Sequence, residues 1–344
     1  MERCTLTQVA KAARLSVSTV SMALRNHPRI PEVTTQRVQR IARKLGYKAH
    51  PSVAALMAHI RSGRQPRSRE KIAFVWIEAQ PTELNVPFNR QTIAGARQRA
   101  EQLGYELEEF WLSEPGMTSR RLSDILKARG VTGVVFSGCD RQTGVQLEMD
   151  WGAHAAAVIG NAPWTPELHR AAHHHFLSMR RVLAELARRE YHRPALILDE
   201  LVNERAIRAS EAAFVTHHPA PSRARQLLRK VAAADDPSLR SWLRQVRPDA
   251  VIVSRTRFLA ALRSHAAALG KDTGYVTLEL TAGENNISGI DPGHHLIGAH
   301  AVDLVIEQLF RNERGMPAEP KNVLFEGHWV EGNTLRAAPS VLVP

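Results

Sequence analysis

The sequence predicts an N-terminal all-α helix-turn-helix headpiece followed by a doubly wound α/β body of two lobes. Three observations carry that prediction. The first 47 residues hold three short amphipathic patterns separated by tight turns. From Lys71 onward, short apolar runs alternate with helical ones, as expected of parallel sheets covered by helices. Charge is also segregated. Residues 1–71 hold fifteen Lys and Arg against three acids (Glu2, Glu32, Glu70), a net charge of +12, and the remaining 273 residues balance 31 bases against 31 acids. A cationic module on a neutral body points to a polyanionic partner.

The first helix starts at Thr5-Leu6-Thr7-Gln8, where Thr5 and Gln8 have the spacing of a capping box; Val9, Ala12 and Ala13 follow at helical spacing. Leu15-Ser16 interrupts the run. Ser16 then caps a second helix, Val17 to Leu24, whose apolar stripe is Val20, Ala23 and Leu24. A third helix is expected from Glu32 to Leu45, buried on Val38, Ile41, Ala42 and Leu45, with Gly46 as its stop. Three such helices, the first two joined by a tight turn, form a helix-turn-helix unit. A helix of this kind fits the major groove of DNA, where every base pair shows its own donor, acceptor and methyl pattern. Ser18, Thr19, Ser21, Met22 and Arg25 are free of the apolar stripe. Arg25, Arg29, Arg37, Arg40, Arg43 and Lys44 can neutralise phosphates beside it. A basic three-helix protein-interaction domain is the competing reading, and it leaves the Ser/Thr-rich second helix without a purpose.

The run Thr5 to Asn26, with its continuation through Thr34, Arg37, Val38, Leu45, Gly46 and Tyr47, resembles the DNA-binding headpiece of the lactose-repressor (LacI/GalR) family. Two positions depart from that pattern. Arg14 stands where the family has Gly at the turn, so a positive φ there carries a strain of about 1 kcal/mol. Met22 stands where the family often has Arg, and Met cannot pair bidentately with guanine. The resemblance implies DNA contacts from Thr5, Leu6, Ser16, Val17, Ser18, Thr19, Ser21, Met22, Arg25, Asn26, Arg29, Thr34 and Tyr47.

His50 to Arg61 follows, with Pro51 in the first turn of an expected helix. Val53, Leu56, Met57 and Ile60 are spaced i, i+3, i+4, i+7 and share one face. A helix this short is marginal alone and needs a partner surface. The stretch resembles the family's hinge helix, which implies that Val53 and Leu56 reach the minor groove and that Leu56 wedges between central base pairs. Residues 61–71 read as a basic linker. The expected organisation is therefore a headpiece over 1–47, hinge and linker over 48–71, and a two-lobed effector-binding and dimerisation domain over 72–344.

In the body, strands are expected at Ile72–Ile77, Glu106–Trp111, Gly133–Phe136, Ala155–Ile159, Ala195–Leu198, Ala250–Val253 and Tyr275–Leu278. Helices are expected at Asn89–Leu103, Ser119–Arg129, His174–Glu190, Ala206–Val215, Leu239–Val246, Arg257–Leu269 and His295–Arg311. Open α/β sheets bind ligands at the carboxyl ends of their strands, so a cleft between the lobes is the expected site. The order of elements and the tail Gly298…Ala301-Val302-Asp303…Gly315-Met316-Pro317…Val330-Glu331-Gly332-Asn333-Thr334 are similar to the family's periplasmic-binding-protein-like sensor. That similarity implies a small effector, a carbohydrate or related metabolite. By position it implies contacts from Phe88, Asn89, Asn161 and Glu279, an aromatic wall from Trp164, and a clamp from Arg205 or Arg208. The family's usual Arg position holds Ser210.

Other chemistry finds little footing. No run approaches the roughly 20 apolar residues of a membrane span, and the start, Met1-Glu2-Arg3-Cys4, does not read as a secretory leader. Two cysteines, Cys4 and Cys139, make no disulfide framework, which fits a cytoplasmic setting. His173-His174-His175, read as a helical run, would point in three directions and not converge on a metal. No phosphate loop, nucleophile elbow or paired acid–base carboxylates are found, so neither an enzyme nor a cofactor is expected. The expectation is a cytoplasmic repressor that binds a pseudo-palindromic operator in double-stranded DNA as a homodimer, with a tetramer as the larger alternative. A solute-binding protein without regulatory function is the second reading.

Overall fold

A computed structural model of the chain describes residues 6–24, 30–45, 47, 70–80, 82, 86–139, 144–263, 269–280 and 286–338, apart from the side chains of residues 205, 260, 261 and 263. The headpiece consists of α1 (Leu6–Ala13), α2 (Val17–Leu24) and α3 (Glu32–Lys44). They close on Val9, Ala10, Ala13, Val20, Ala23, Val38 and Ala42. Burial of these small side chains is what holds such short helices together, since none is long enough to persist alone. Arg14 takes φ 53° at the α1–α2 turn, the left-handed conformation in which a side chain costs about 1 kcal/mol. Ser16 caps α2 by accepting the Thr19 amide at 3.1 Å. Leu45 is 41% exposed and not buried, because α3 ends one residue before it.

The first lobe is built on a six-stranded sheet of order β2-β1-β3-β5-β7-β13, parallel throughout. Its strands are β1 (Glu70–Trp76), β2 (Tyr105–Trp111), β3 (Gly133–Phe136), β5 (Ala155–Ile159), β7 (His169–His173) and β13 (Asn322–Phe325). A separate two-stranded ladder joins β4 (Val145–Gln146) to β6 (Trp164–Thr165). The second lobe's sheet has the order β9-β8-β10-β11-β12-β14, with only β12–β14 antiparallel. Its strands are β8 (Pro194–Asp199), β9 (Leu228–Val231), β10 (Ala250–Val253), β11 (Gly274–Thr277), β12 (Gly289–Asp291) and β14 (His328–Val330). The central strands are apolar along their length because helices cover both faces, as β10, wholly buried, illustrates.

Each sheet lies between two apolar layers. Helices Pro87–Gln102 and His294–Arg311 cover one face of the first sheet. They cross so closely that a Cβ on Gly95 would lie 1.8 Å from the His295 carbonyl oxygen, and one on Gly298 would lie 2.1 Å from that of Thr92. Only glycine permits that approach.

The chain passes between the lobes three times among the described residues: after β7, after β12, and between β13 and β14. The crossings are tied to one another. The His174 amide donates to Phe325 O at 2.8 Å. Ser178 Oγ bonds His173 Nε2 at 2.8 Å and accepts the Gly327 amide at 3.3 Å. The histidine run is therefore not the continuous helix that its sequence suggests. His173 ends β7 and His175 opens the helix His175–Arg188, which brings their rings to 4.5 Å from each other. The helix expected over Ala206–Val215 begins only at Ala209. Ile207 and Arg208 take φ 49° and 55°, separating the helices Glu200–Arg205 and Ala209–His217.

Candidate functional site

Two surfaces stand out, one on the headpiece and one between the lobes. On the headpiece, α2 buries Val20 and Ala23 and turns its opposite side outward. Val17 is 43% exposed, Ser18 is exposed, and Ser21 and Met22 are half-buried. Ser16 gathers the hydroxyls at the start of the helix, with its Oγ at 2.8 Å from Ser18 Oγ and 2.7 Å from Thr19 Oγ1. Of the remaining expected DNA contacts, Thr34 is half-buried in the first turn of α3, and Tyr47 is half-buried against the headpiece core. Leu6 also packs on that core, at the first position of α1. Thr5, Arg25, Asn26, Arg29, Val53 and Leu56 lie outside the described residues. Arg37, Arg40, Arg43 and Lys44 are exposed along α3. Arg37 also braces the fold, because its Nη2 donates to Ala13 O at 3.3 Å and satisfies a carbonyl at the end of α1.

Between the lobes lies a cleft of about 610 Å³. The first lobe contributes Phe88 and Asn89 from the first turn of helix Pro87–Gln102, and Asn161 from the loop after β5. The second lobe contributes Glu279 after β11, Arg255 and Arg257 after β10, and Ser210. Phe88, Asn89, Asn161 and Glu279, all expected at the effector, line this cleft together. Trp164 is a correction. It is 4% exposed and packs in the core against Phe136, ring centroids 5.1 Å apart, because β6 pairs it into the ladder under the first sheet. It forms no wall of the cleft. The side chain of Arg205 lies outside the described residues. Arg208 is exposed and pairs with Glu204 at 2.7 Å on its own turn, away from the cleft lining.

Sequence reading missed two arginines that, among the described residues, line the cleft: Arg255 and Arg257. Both follow the carboxyl end of β10, which is the signal that could have found them. Arg255 Nε lies 3.5 Å from Glu279 Oε2. On the carboxylate's other side, His294 Nε2 lies 3.5 Å from Oε1. Both separations exceed a well-formed hydrogen bond, so the carboxylate oxygens keep acceptor capacity for a ligand hydroxyl. Burial pushes the Glu279 carboxyl up, but the His294 ring and the Arg255 guanidinium outweigh it and hold the group below its ordinary range. Glu279 is therefore an anionic acceptor at neutral pH. Arg257 is paired with Asp199, whose carboxylate also accepts the Val202 amide at 3.2 Å to cap the helix Glu200–Arg205. Phe88 offers an aromatic ring, and Asn89 and Asn161 carry amides that can donate and accept. Such a surface suits a small polar molecule with several hydroxyls. Among the described residues, no group of three or more His, Cys, Asp or Glu could hold a metal ion.

Residues 5–50 match the family described as bacterial regulatory proteins, lacI family. The maltose regulon regulatory protein MalI of Vibrio furnissii is 29% identical over 151 residues, which is 43% of this chain and 97% of that protein. The HTH-type transcriptional regulator DegA of Bacillus subtilis (strain 168) is 24% identical over 135 residues, 39% of this chain and 36% of that protein. The fold is similar to the lac repressor dimer bound to operator and the anti-inducer ONPF, at a TM-score of 0.57 and 16% identity over 98% of this chain and 100% of that one. It is likewise similar to the transcriptional regulator CelR in complex with cellobiose, at 0.55 and 17% over 96% and 100%. At these identities the two structures establish a shared fold.

Proposed function

We propose, for a chain of the LacI family of DNA-binding transcriptional regulators, that a small polyhydroxylated effector binds between its lobes and sets its affinity for an operator. The observation that carries this reading is the joining of two surfaces in one chain: an outward-facing α2 in a headpiece matched over residues 5–50, and a cleft of about 610 Å³ lined from both lobes. The volume suits a ligand of sugar size. In the cleft, Glu279 accepts hydrogen bonds from hydroxyls, Arg255 donates them, Asn89 and Asn161 do both, and Phe88 covers an apolar part of the ligand. The transcriptional regulator CelR, solved in complex with cellobiose, shares this fold.

Because the lining comes from two lobes joined by the crossings after β7, after β12 and between β13 and β14, a ligand that touches both favours one lobe arrangement over another. An effector shifts the equilibrium only by its difference in affinity for the two arrangements, typically about 1–3 kcal/mol. The headpiece acts as half of a two-fold reader, so the active species is a homodimer on a pseudo-palindromic operator. Val53 and Leu56 extend the contact into the minor groove, and residues 48–71 connect the headpiece to the sensor over 72–344. We assign the protein a repressor's role, no catalytic activity and a cytoplasmic place with its DNA. Among the described residues no helix is long and apolar enough to cross a membrane.

The test uses the full chain. Duplexes are selected from a randomised pool, and thermal melting is followed with neutral sugars, sugar acids and nucleobases. A sugar that raises the melting temperature and changes affinity for the selected duplex supports the reading. Selected duplexes without any ligand effect would remove the effector; failure to select a duplex would remove the regulator.

A further inference from the structure

We infer that α2 reads its operator half-site through thymine methyl groups, with Val17 and Met22 as the contacting side chains. The inference rests on the DNA-binding reading above and concerns what that surface recognises. At about 100° per residue, the buried Val20 and Ala23 define one side of α2. Val17, Ser21, Ser18 and Met22 then follow one another around an arc of about 140° on the opposite side. Val17 and Met22 lie at the two ends of that arc, and the serines lie between them.

The chemistry of this arc is unusual for a base-reading surface. No residue of Val17–Leu24 carries an amide, guanidinium, ammonium or carboxylate. The groups that read guanine and adenine bidentately are therefore missing from the helix itself. The hydroxyls at its start are already engaged with one another: Ser18 and Thr19 both bond to Ser16 Oγ, which also accepts the Thr19 amide. Apart from the Ser21 hydroxyl, what remains to meet base edges is carbon and sulfur: an isopropyl group that is 43% exposed and a thioether that is half-exposed. The major-groove edge of thymine carries a methyl group, and apolar contact is how that base is read. A guanine facing Met22 would present two acceptors to a side chain with no donor. The half-site thus favours thymine where Val17 and Met22 approach. A 5-methylated cytosine, which carries its methyl at the same ring position, can substitute for it.

A uracil scan tests this directly. With a duplex selected by the full chain, each thymine is replaced in turn by deoxyuridine, which removes the methyl and leaves every hydrogen-bonding group in place. One or two positions per half-site should lose affinity roughly fourfold, the size expected for one buried methyl. Met22→Ala should abolish the sensitivity at one position and Val17→Ala at the other, with each variant's melting temperature checked. The scan on the unaltered protein needs no variant to fold. The inference is overturned by tight binding in which every uracil is neutral, by a selected half-site without thymine, or by sensitivity that survives both substitutions. All three outcomes leave the regulator intact, whereas failure to select any duplex sinks DNA binding itself.

Discussion

Phe88, in the first turn of helix Pro87–Gln102, stands edge-on to His294, the first residue of helix His294–Arg311, with ring centroids 4.6 Å apart and planes inclined by 78°. His294 in turn faces Glu279 of the second lobe at 3.5 Å. Ring, imidazole and carboxylate form a continuous line from one lobe to the other. A ligand that inserts beside His294 therefore touches both lobes at once, the condition for coupling occupancy to lobe arrangement.

Phe88→Ala should weaken effector binding by about 1–2 kcal/mol, roughly five- to thirtyfold, through lost ring contact and burial. Operator affinity without ligand should stay within about twofold, since Phe88 lies in the body and not in the headpiece. Titration calorimetry with the effector and fluorescence anisotropy with operator separate the two effects. Unchanged ligand affinity would place the effector elsewhere.

Asp199→Ala should destabilise the second lobe by about 1–2 kcal/mol, the ordinary cost of losing a helix cap. The carboxylate caps Glu200–Arg205 and also pairs with Arg257 at the cleft rim. Arg257 is about half exposed, so the ion pair adds little to stability. Urea denaturation of Asp199→Ala beside Arg257→Ala tests the division. Equal losses in both would mean that the ion pair, and not the cap, carries the effect.

Much of this fold is legible in the sequence because burial writes it there. Strands such as β3, β5 and β10 are uninterrupted apolar runs, which parallel strands covered on both faces must be. The edge and crossing strands β7, β9 and β13 escape such a reading, since His169–His173, Leu228–Val231 and Asn322–Phe325 carry polar residues within them. Phe88, Asn89, Asn161 and Glu279 follow strand ends, and the family resemblance places them there by position. Trp164 could not be placed, because nothing local distinguishes an aromatic that packs inward from one that faces a ligand. Arg255 and Arg257 are hidden among many arginines, and only the strand before them marks their place.

Arg189→Met should cost about 1–3 kcal/mol. The guanidinium is 1% exposed, bonds the Glu185 carboxylate, meets Glu331 at 2.5 Å, and lies 5.4 Å over the Trp329 ring. Breaking a wholly buried pair costs about 3–5 kcal/mol, but Glu331 is 57% exposed and can recover water. The lower range therefore holds, and the loss should be read in denaturant midpoints. A loss near 5 kcal/mol would show that the acids stay dry without their partner.

Stability should fall as pH drops below about 6.5, the ordinary imidazole value. Burial holds His154 and His169 below that value, and holds His173 well below it with help from neighbouring His175, His294 and His174. In the unfolded chain these groups take up protons near the ordinary value, while the folded chain resists. The stabilisation is thus complete above that pH and is lost progressively below it. Glu279 and Glu185, both held low, act in a separate and more acidic window, below the ordinary carboxylate value of 4.5. Melting curves across both windows test the order. His173→Asn should flatten the first slope and leave the second, and an unchanged first slope would remove His173 from the account.

Arg37→Ala should weaken binding to random and selected duplexes alike and reduce the slope of log affinity against log salt by about one. A phosphate contact acts on every sequence and releases its counterion, so both readouts move together. The Arg37 guanidinium also donates to Ala13 O at the end of α1, next to the strained Arg14. The same substitution should therefore lower the melting temperature of the headpiece, whereas Arg40→Ala should change the salt slope with little effect on melting. Arg37→Lys keeps the charge but not the planar fork. It should restore the salt slope and only part of the stability. A salt slope left intact by Arg37→Ala, together with the melting loss, would make this arginine a tie between α1 and α3 with no share in holding the duplex.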